Sequence, residues 1–267
     1  MKIIVPIKQV PETSQVKINE ETGTIIREGV ENIINPLDLY AIESAIQLRE
    51  AHGGSITVIS MGPQKAEIAL REAIAMGADE AMLLSGREFA GSDTWVTACS
   101  LAALIEKIKP YDLIITGERA TDGDTGQVGP GIASFLDLPL STYTRKIKSI
   151  HGRYIIVQRL IEEGYEILQL PLPALLTVVK EIAYPRLPTL RGKQKARKMD
   201  VPVFCGKDIL VKKEDLGLEG SPTRVIKIYR PQVTRNGTIL QVKDEKTLTE
   251  SIDRLISFLE EKKILSF

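Results

Sequence analysis

Residues 117–130 combine residue types that bind phosphate-bearing ligands. The segment reads GERATDGDTGQVGP and follows a strongly apolar run. Its glycines allow the backbone to approach a ligand closely, and a helix that begins here would direct free N–H groups and the positive end of its dipole at a phosphate. Asp122 and Asp124 would repel a phosphate, so we expect them to accept hydrogen bonds from backbone N–H groups or from a ribose hydroxyl. An ordinary helix N-terminus explains these residues about equally well.

Other loop motifs do not fit this part of the chain. The dinucleotide fingerprint GxGxxG does not occur in the segment. A calcium loop requires a bidentate Glu at its twelfth position, where this chain has Ala133. Residues 86–91 have the glycine spacing of a P-loop but lack the Lys and the Ser or Thr that follow it. The sequence therefore predicts a phosphate site of another kind.

Strand-like and helix-like segments alternate through the first half of the chain. Apolar or β-branched runs predict strands at 2–7, 55–60, 80–84 and 112–116, and helical spacing predicts helices at 36–50, 64–76 and 93–107. Strands separated by helices imply right-handed crossovers and a mainly parallel sheet with helices on both faces. The predicted fold class is therefore α/β, in which ligands bind at the carboxyl ends of the strands.

This rule brings distant loops to one edge of the predicted sheet. The loops are 6–8, 35–38, 61–63 and 117–130. Asn35 followed by Pro36 also has the form of an ordinary N-cap, so a purely structural role is an equal alternative to ligand contact. Lys8 could meet a phosphate, although a solvated side chain is the simpler expectation.

The second half of the chain has a different pattern. Residues 149–157 and 165–170, with a turn at Gly152, predict extended or hairpin segments, and residues 174–179 predict a buried strand. These segments indicate an extension of the sheet and not a new domain.

Two further segments indicate contacts with other proteins. Residues 185–198 are basic and punctuated by proline, which predicts an exposed loop that leads into a short helix and docks on an acidic surface. From about residue 231 the sequence predicts a linker and then an amphipathic helix at 245–265. This C-terminal arm packs either on a partner subunit or on its own domain.

Composition excludes several classes of function. Lys plus Arg and Asp plus Glu both number 35, and the basic segment has neither an aromatic stacking platform nor a nucleic-acid motif, so we expect no nucleic-acid partner. Two Cys and two His are too few and too scattered for a zinc site. The N-terminus lacks an apolar signal core and no run reaches the roughly 20 apolar residues of a membrane span, so we expect a cytoplasmic protein without membrane insertion.

The most specific signature lies at 157–168, VQRLIEEGYEIL, and continues as PALLT at 173–177. This signature has a fixed spacing and consists of a basic residue, a cluster of acidic residues and glycine, a Glu, an aliphatic residue, and then Pro and Thr. With VPIKQVP at 5–11, MGAD at 76–79 and the loop 117–130 in the same order, the chain resembles the beta subunit of the electron-transfer flavoproteins over essentially its whole length.

This resemblance implies an adenine-nucleotide-binding (HUP-like) α/β fold that pairs with an alpha subunit carrying FAD and itself binds FAD or AMP. The run Asp122-Gly123-Asp124-Thr125 resembles the electron-bifurcating and nitrogen-fixation-linked branch, which favours FAD. The residues it implies for nucleotide contact are Pro6, Asn35, Asp38 and Met61 at the adenosine end, and Gly117, Ala120, Thr121, Asp122, Gly123, Asp124, Thr125, Gly126, Gln127 and Val128 around the ribose and phosphates.

The resemblance also implies a function and partners. NADH is the implied electron donor, and the electrons pass to the alpha-subunit FAD, onward to an acyl-CoA dehydrogenase or quinone oxidoreductase, and to ferredoxin or flavodoxin. No catalytic acid or base is required, because the flavin carries the redox chemistry. Leu190, with Arg191 and Lys195, is implied to anchor the docking of a partner. The expected domains are 1–230, which binds the nucleotide, and 231–267, the arm on the partner subunit.

Two other functions remain as alternatives. The first is a conventional AMP-binding beta subunit with a structural role, in a complex that accepts electrons from acyl-CoA dehydrogenases through the alpha subunit. The second is a nucleotide-binding stress protein or an adenylating enzyme of the same general fold.

Overall fold

The computed structural model describes residues 1–12, 17–18, 25–26, 32–226 and 237–264. The chain divides into two compact units, Met1–Lys227 and Ile228–Phe267. The first unit contains every strand given below, and the second contains one described helix.

The strands are β1 (Lys2–Pro6), β2 (Gln9–Pro11), β3 (Lys17–Ile18), β4 (Ile25–Ile26), β5 (Asn32–Ile34), β6 (Ser55–Met61), β7 (Glu80–Leu84), β8 (Leu113–Gly117), β9 (Leu140–His151), β10 (Tyr154–Ile161), β11 (Gly164–Pro171), β12 (Ala174–Val178) and β13 (Val203–Phe204). The α-helices are α1 (Pro36–His52), α2 (Glu67–Met76), α3 (Thr94–Lys107), α4 (Val128–Phe135), α5 (Leu190–Lys198), α6 (Gly217–Gly220) and α7 (Glu245–Glu261). Short 3-10 turns occur at Gln64–Ala66, Arg87–Phe89, Lys180–Ile182, Gly206–Asp208 and Lys213–Asp215.

One nine-stranded sheet organises the first unit, in the order β11-β10-β9-β12-β8-β1-β6-β7-β13. In this spatial order, the seven strands β9-β12-β8-β1-β6-β7-β13 are parallel to their neighbours. At one edge of the sheet, β10 and β11 are added as antiparallel strands. Two small antiparallel pairs, β2 with β5 and β3 with β4, lie outside this sheet. The parallel core requires crossover connections, and these are supplied by helices.

Helices cover both faces of the sheet, as the alternation of strands and helices predicts. Along β1, Ile3 and Val5 belong to a core cluster that includes buried residues of α1 and α2. Ile4, between them, belongs to the cluster that includes buried residues of α3 and α4. Successive side chains of a strand point to opposite faces, so an apolar strand supplies both cores. The predicted α/β class is confirmed.

The observed elements differ from the predicted ones mainly at their ends. The predicted helix at 64–76 begins as a 3-10 turn and becomes α-helical at Glu67. The sheet extension is confirmed, but β9 begins at Leu140 and not at 149. Buried, half-buried and exposed residues follow one another irregularly in this strand, and its buried residues Ser141 and Thr144 are polar, so no apolar run marks the beginning of the strand. Gly152, with φ of +56°, makes the turn that separates β9 from β10.

In the second unit, α7 ends at Glu261 instead of the predicted 265. Asp244 caps it, because its Oδ1 accepts a hydrogen bond of 2.8 Å from the Thr247 N–H. The predicted linker from 231 lies largely outside the described residues, as does residue 265. None of the helices in the described ranges combines the length and the apolar composition that a bilayer crossing requires.

Candidate functional site

A cleft of about 880 Å³ lies at the carboxyl edge of the parallel strands. Residues that follow β8, β1, β6 and β7 line it, together with the first residues of α1, α3 and α4. These four strands are consecutive in the sheet. With neighbouring strands about 4.8 Å apart, the cleft spans roughly 14 Å from the end of β8 to the end of β7.

Most of the residues implied for nucleotide contact line this cleft. They are Pro6, Asn35, Asp38, Met61, Gly117, Ala120, Gly123, Asp124, Thr125, Gly126, Gln127 and Val128. Thr121 and Asp122 do not line it. Both are turned to other parts of the site, where they fix the loop: the Thr121 N–H donates to Asn35 Oδ1 and the Asp122 carboxylate pairs with Lys8.

Asn35 is the residue that holds the loop after β8 in place. It is only 1% exposed, and its side chain does not cap α1. Instead its Nδ2 donates to the Arg119 carbonyl oxygen at 2.9 Å, and its Oδ1 accepts from the Thr121 N–H at 3.1 Å. Its backbone N–H donates to the Lys8 carbonyl oxygen at 2.8 Å. The expected N-cap hydrogen bond is thus replaced by a link between the loops after β1 and β8, while Pro36 occupies the first turn of the helix as predicted.

The N-terminus of α4 opens onto the cleft. Gly126 lies in the left-handed region, with φ of +62°, and brings the chain into the helix at Val128. A Cβ on Gly129 would lie 2.7 Å from Thr116 Oγ1, so only glycine allows the helix to approach the end of β8 this closely. The first N–H groups of a helix have no intrahelical acceptor and carry the positive end of its dipole. They are therefore available to an anion in the cleft.

Thr116 adds a second polar group at this position. The residue is buried and lines the cleft, and its Oγ1 has no hydrogen-bond partner within the part of the chain that the structure describes. A buried hydroxyl without a partner costs free energy unless a ligand or water satisfies it. The hydroxyl and the nearby start of α4 form a cradle for a polar ligand group, and this suits the phosphates or ribose of a nucleotide.

The loop carboxylates have different partners from those expected. The Lys8 Nζ lies 2.7 Å from Asp122 Oδ1, and the Arg119 Nε lies 3.0 Å from Asp124 Oδ1. Both carboxylates thus pair with side-chain cations and not with backbone N–H groups. Lys8 lines the cleft with about half of its side chain exposed, as the expectation of a solvated side chain predicts, and it also pairs with Asp122.

Asp38 is a buried carboxyl group at the floor of the cleft. Burial raises its pKa to about 7, although hydrogen bonds from the N–H groups of Lys8 and Gly117 and from the Asn35 side chain oppose this rise. The Lys8 N–H donates to Asp38 Oδ2 at 2.7 Å. Near neutral pH the residue exists in both protonation states, so it can donate or accept a hydrogen bond.

The loop that follows β7 is the part of the cleft that sequence reasoning missed. Its residues 85–94 form one wall. Asp93 caps α3 by accepting from the Val96 N–H at 3.1 Å, and Thr94 Oγ1 donates to Gln127 Oε1 at 2.8 Å, which links the starts of α3 and α4. This loop follows the predicted strand at 80–84, so the rule that ligands bind at the carboxyl ends of parallel strands is the signal that indicates it.

The residues implied for partner docking lie apart from the cleft. Leu190 begins α5 and is exposed, as is Arg191. The Lys195 Nζ instead donates to the Ala78 carbonyl oxygen at 3.0 Å, so this lysine also attaches α5 to the loop after α2. Arg71 of α2 donates to the carbonyl oxygens of Ala196 and Met199 from the other side.

The fold and the cleft define a class, the α/β proteins whose ligands bind at the carboxyl ends of parallel strands. Comparison with known proteins identifies the family within that class. The model of the electron transfer flavoprotein domain matches residues 22–207. The chain is 50% identical over 258 residues to the electron transfer flavoprotein subunit beta of Thermoanaerobacterium thermosaccharolyticum, and the match covers 96% of this chain and 98% of that one.

Two further relatives are similar along most of their length. CarD, a subunit of the caffeyl-CoA reductase–Etf complex of Acetobacterium woodii, is 44% identical over 266 residues, which cover 99% of this chain and 100% of CarD. The protein FixA of Azorhizobium caulinodans is 44% identical over 240 residues, 86% of this chain and 85% of FixA. The chain belongs to the electron transfer flavoprotein family and is one of its beta subunits.

Proposed function

We propose that this beta subunit binds FAD in the cleft and, paired with an alpha subunit, passes electrons from NADH to the alpha-subunit FAD and to ferredoxin or flavodoxin. From the alpha subunit the electrons continue to an acyl-CoA dehydrogenase or quinone oxidoreductase. The similarity to CarD and FixA along most of the chain agrees with this branch of the family, which the run at 122–125 favours.

The extent of the cleft is the observation that carries the choice of FAD over AMP. One AMP at the loop after β8 would use the cradle formed by Thr116 and α4 and would leave the wall after β7 without a ligand. A dinucleotide uses both ends of a cleft that spans four strand ends. The volume of about 880 Å³ is near the upper end of the range of roughly 300–1,000 Å³ for small-molecule sites.

The chain supplies position and electrostatics to the cofactor. The N–H groups at the start of α4 and the Thr116 hydroxyl face the phosphates or ribose, and Asn35 fixes the loop that carries these groups. The ion pairs of Asp122 and Asp124 offset two carboxylate charges that would otherwise repel a phosphate. FAD, when bound, supplies hydride acceptance and one-electron transfer. No described residue is required as a catalytic acid or base.

Flavin stoichiometry tests this proposal most directly. The chain is co-purified with its alpha subunit, and the released nucleotides are counted by absorbance and identified by mass spectrometry. Two FAD per heterodimer are expected, and NADH-driven reduction of ferredoxin is then measured. One FAD with one AMP would instead identify the conventional subunit with a structural role.

We also propose that the segment that leads into α5 docks the electron acceptor. Leu190 is 82% exposed, and the exposed residues that follow it include Arg191, Lys193 and Arg197. An exposed leucine beside cations suits a partner with an apolar pocket and an acidic rim.

Replacing Leu190 by Ala should raise the KM for an acyl-CoA dehydrogenase acceptor about tenfold with little change in kcat. Leu210→Ala, at another fully exposed leucine, is the control. An unchanged KM in Leu190→Ala would exclude this docking role.

The C-terminal arm completes the proposed assembly. Exposed apolar side chains follow one another along α7 at 248, 252, 255 and 256, the spacing of a single helix face. We propose that this face packs on the alpha subunit, which would make residues 231–267 an arm of the heterodimer and 1–230 the nucleotide-binding domain.

A further inference from the structure

Three large apolar side chains are exposed within a short distance before and at the start of α5. Tyr184 is 91% exposed, Leu187 is 86% exposed and Leu190 is 82% exposed. We call residues 183–190 the docking segment. Such a concentration of exposed apolar groups marks an interaction surface. Such a surface binds more tightly when its side chains are already held in position, since an unrestrained segment loses conformational entropy when it binds.

Regular structure does not hold the docking segment. The backbone hydrogen bond before it is that of the Ile182 N–H to the Val179 carbonyl oxygen, and the next is that of the Thr189 N–H to the Ala75 carbonyl oxygen. Pro185 and Pro188 have no N–H to donate. Within the described ranges, the hydrogen bonds that attach residues 183–188 to the rest of the protein are all made by one residue, Arg186.

Arg186 binds two glutamates of α1 through both edges of its guanidinium group. Toward Glu43, its Nε lies 2.8 Å from Oε2 and its Nη2 lies 3.0 Å from Oε1. Toward Glu50, its Nη1 lies 2.6 Å from Oε1 and its Nη2 lies 3.0 Å from Oε2. The Arg186 N–H adds a bond of 3.2 Å to Glu43 Oε2, which fixes the backbone itself. A lysine could not reproduce this planar, doubly bidentate arrangement.

Both glutamates are stabilised in the ionised form that pairs with the arginine. Glu43 is only 3% exposed, and Gln47 Nε2 donates to its Oε1 at 2.9 Å. Burial alone would raise the pKa of Glu43, but the hydrogen bonds from Arg186 and Gln47 outweigh it and the pKa is below the usual range. The hydrogen bond from Arg186 also lowers the pKa of Glu50. A buried carboxylate without its cation would be strongly unfavourable, so the pair keeps the segment against α1.

The helix that receives the arginine is also the one that begins in the cofactor cleft. Asp38, in the first turn of α1, lines the cleft, whereas Glu43 and Glu50 lie further along the same helix. From residue 38 to residue 50 the helix rises about 18 Å. Arg186 therefore fixes the docking segment to a rigid element whose other end contacts the cofactor site.

We propose that Arg186 is a positioning residue for partner docking: its clamp on Glu43 and Glu50 holds Tyr184 and Leu187, the exposed apolar residues before α5, where an electron-accepting protein contacts them together with Leu190. The partner it serves has an apolar pocket with an acidic rim, since α5, which follows, carries exposed cations. This inference rests on the docking role of the segment proposed above. Arg186 acts through the segment and does not itself touch the cofactor.

The test compares Arg186→Gln with Arg186→Lys in the complete heterodimer. Arg153→Gln, the same change at an exposed arginine of the β9–β10 turn, is the matched control. In Arg186→Gln we expect the KM for an acyl-CoA dehydrogenase acceptor to rise about tenfold with kcat and nucleotide content unchanged. We also expect faster hydrogen exchange of the amides at positions 186 and 189, the two in the described stretch 183–189 that are hydrogen-bonded. Arg186→Lys should recover only part of the KM, because an ammonium group can pair with the glutamates but cannot bridge them in two bidentate contacts.

The outcomes separate this inference from the docking proposal. If Leu190→Ala raises the KM and Arg186→Gln does not, the segment docks without the clamp and the inference is wrong. If neither changes the KM, docking at this surface is wrong as well. Accelerated exchange with an unchanged KM, or unchanged exchange, would each overturn the positioning role. Should Arg186→Gln fail to fold, Glu50→Gln removes only the half-exposed part of the clamp and should raise the KM about threefold; an unchanged KM there would count equally against it.

Discussion

Single residues in this site act through buried polar contacts more than through exposed charge. Asn35 joins two loops from inside the protein, whereas the cations Lys8 and Arg119 are paired with carboxylates of the loop they flank. Buried hydrogen bonds of this kind are costly to break, because the partners left behind cannot reach water. The residues that determine nucleotide affinity should therefore include some that need not touch the nucleotide.

Asn35→Ala tests this expectation. It leaves the Arg119 carbonyl group and the Thr121 N–H without their partner and frees the loop after β8. A cost of about 2 kcal/mol corresponds to roughly 30-fold weaker nucleotide binding. Calorimetric titration of FAD into the nucleotide-free heterodimer measures the change. Asn32→Ala, the same substitution at an exposed position of β5, should leave affinity within about twofold, and an equal effect of the two variants would contradict the role of Asn35.

Asp38 should make the stability of the protein depend on pH. In the folded state its pKa is about 7, whereas the pKa of an exposed aspartate in the unfolded chain is 3.8, so between these values the folded state retains a proton that the unfolded state has lost. The contribution of the protonated Asp38 to the stability of the folded state is fully present below about pH 4 and is lost as the pH rises to about 7. The amide in Asp38→Asn cannot ionise, so the free energy of unfolding of this variant lacks the decrease that Asp38 causes as the pH rises. The difference in free energy of unfolding, variant minus unsubstituted protein, should therefore increase by a few kcal/mol across this interval.

Urea denaturation of both proteins from pH 4 to pH 8 measures this difference. Any change in hydrogen bonding caused by the amide adds a nearly constant offset, so the dependence on pH is the relevant quantity. A difference that stays constant over the interval would show that Asp38 has an ordinary pKa.

Among the elements, α4 packs closely against the end of β8 at the edge of the cleft. A Cβ at position 129 would lie 2.7 Å from Thr116 Oγ1 and 2.8 Å from Thr177 Cγ2, whereas a Cβ at position 123 would meet no atom within 4 Å. The two glycines of the same loop therefore have different functions, one in packing and one in an open turn.

Gly129→Ala should displace α4 and destabilise the first unit by about 1–3 kcal/mol, the usual cost of overpacking. It should also reduce nucleotide retention, because the N–H groups of α4 move with the helix. Thermal unfolding and the nucleotide content after gel filtration are the measurements. Gly123→Ala is the matched variant and should unfold within about 0.5 kcal/mol of the unsubstituted protein. If both variants unfold alike, the close approach of α4 does not matter for stability.

At the scale of the whole molecule, assembly should depend on the apolar face of α7. Leu255→Asp places a charge on that face and should weaken association with the alpha subunit at least tenfold, since burying an unpaired carboxylate is unfavourable. Ser257→Asp adds the same charge about 200° around the helix and is the control. Analytical ultracentrifugation of the heterodimer measures the difference. Equal dissociation constants for the two variants would show that this face is not buried on the partner.

Truncation tests the arm as a unit. A chain that ends after residue 226 retains the described part of the sheet unit and lacks α7. We expect it to keep its cleft but to assemble poorly and to show changed electron transfer. Unchanged assembly and turnover would exclude a role for the arm in the heterodimer.

Much of the fold is predictable from sequence because its signals are local. Apolar runs and helical spacing place β1, β6, β7, β8, α1 and α3 to within a residue or two of their observed bounds. Their alternation determines the parallel sheet, and the sheet determines the edge at which ligands bind. The loop 117–130 and the segment before α5 are likewise visible as departures from regular periodicity.

The tertiary structure alone decided which distant residues meet. Lys8 and Asp122 are 114 positions apart, Asn35 and Thr121 are 86 apart, and Arg186 and Glu43 are 143 apart. Local sequence marks some of these residues as candidates for a site, but no pattern in the sequence indicates the partner of any of them. Periodicity and short motifs are properties of neighbouring residues, so they were enough to indicate the α/β fold, the edge of the sheet that carries the cleft, and the family. The shape of the cleft, the anchoring of its loops and the clamp of Arg186 were decided by packing, since they depend on contacts between segments that meet only when the whole sheet has formed.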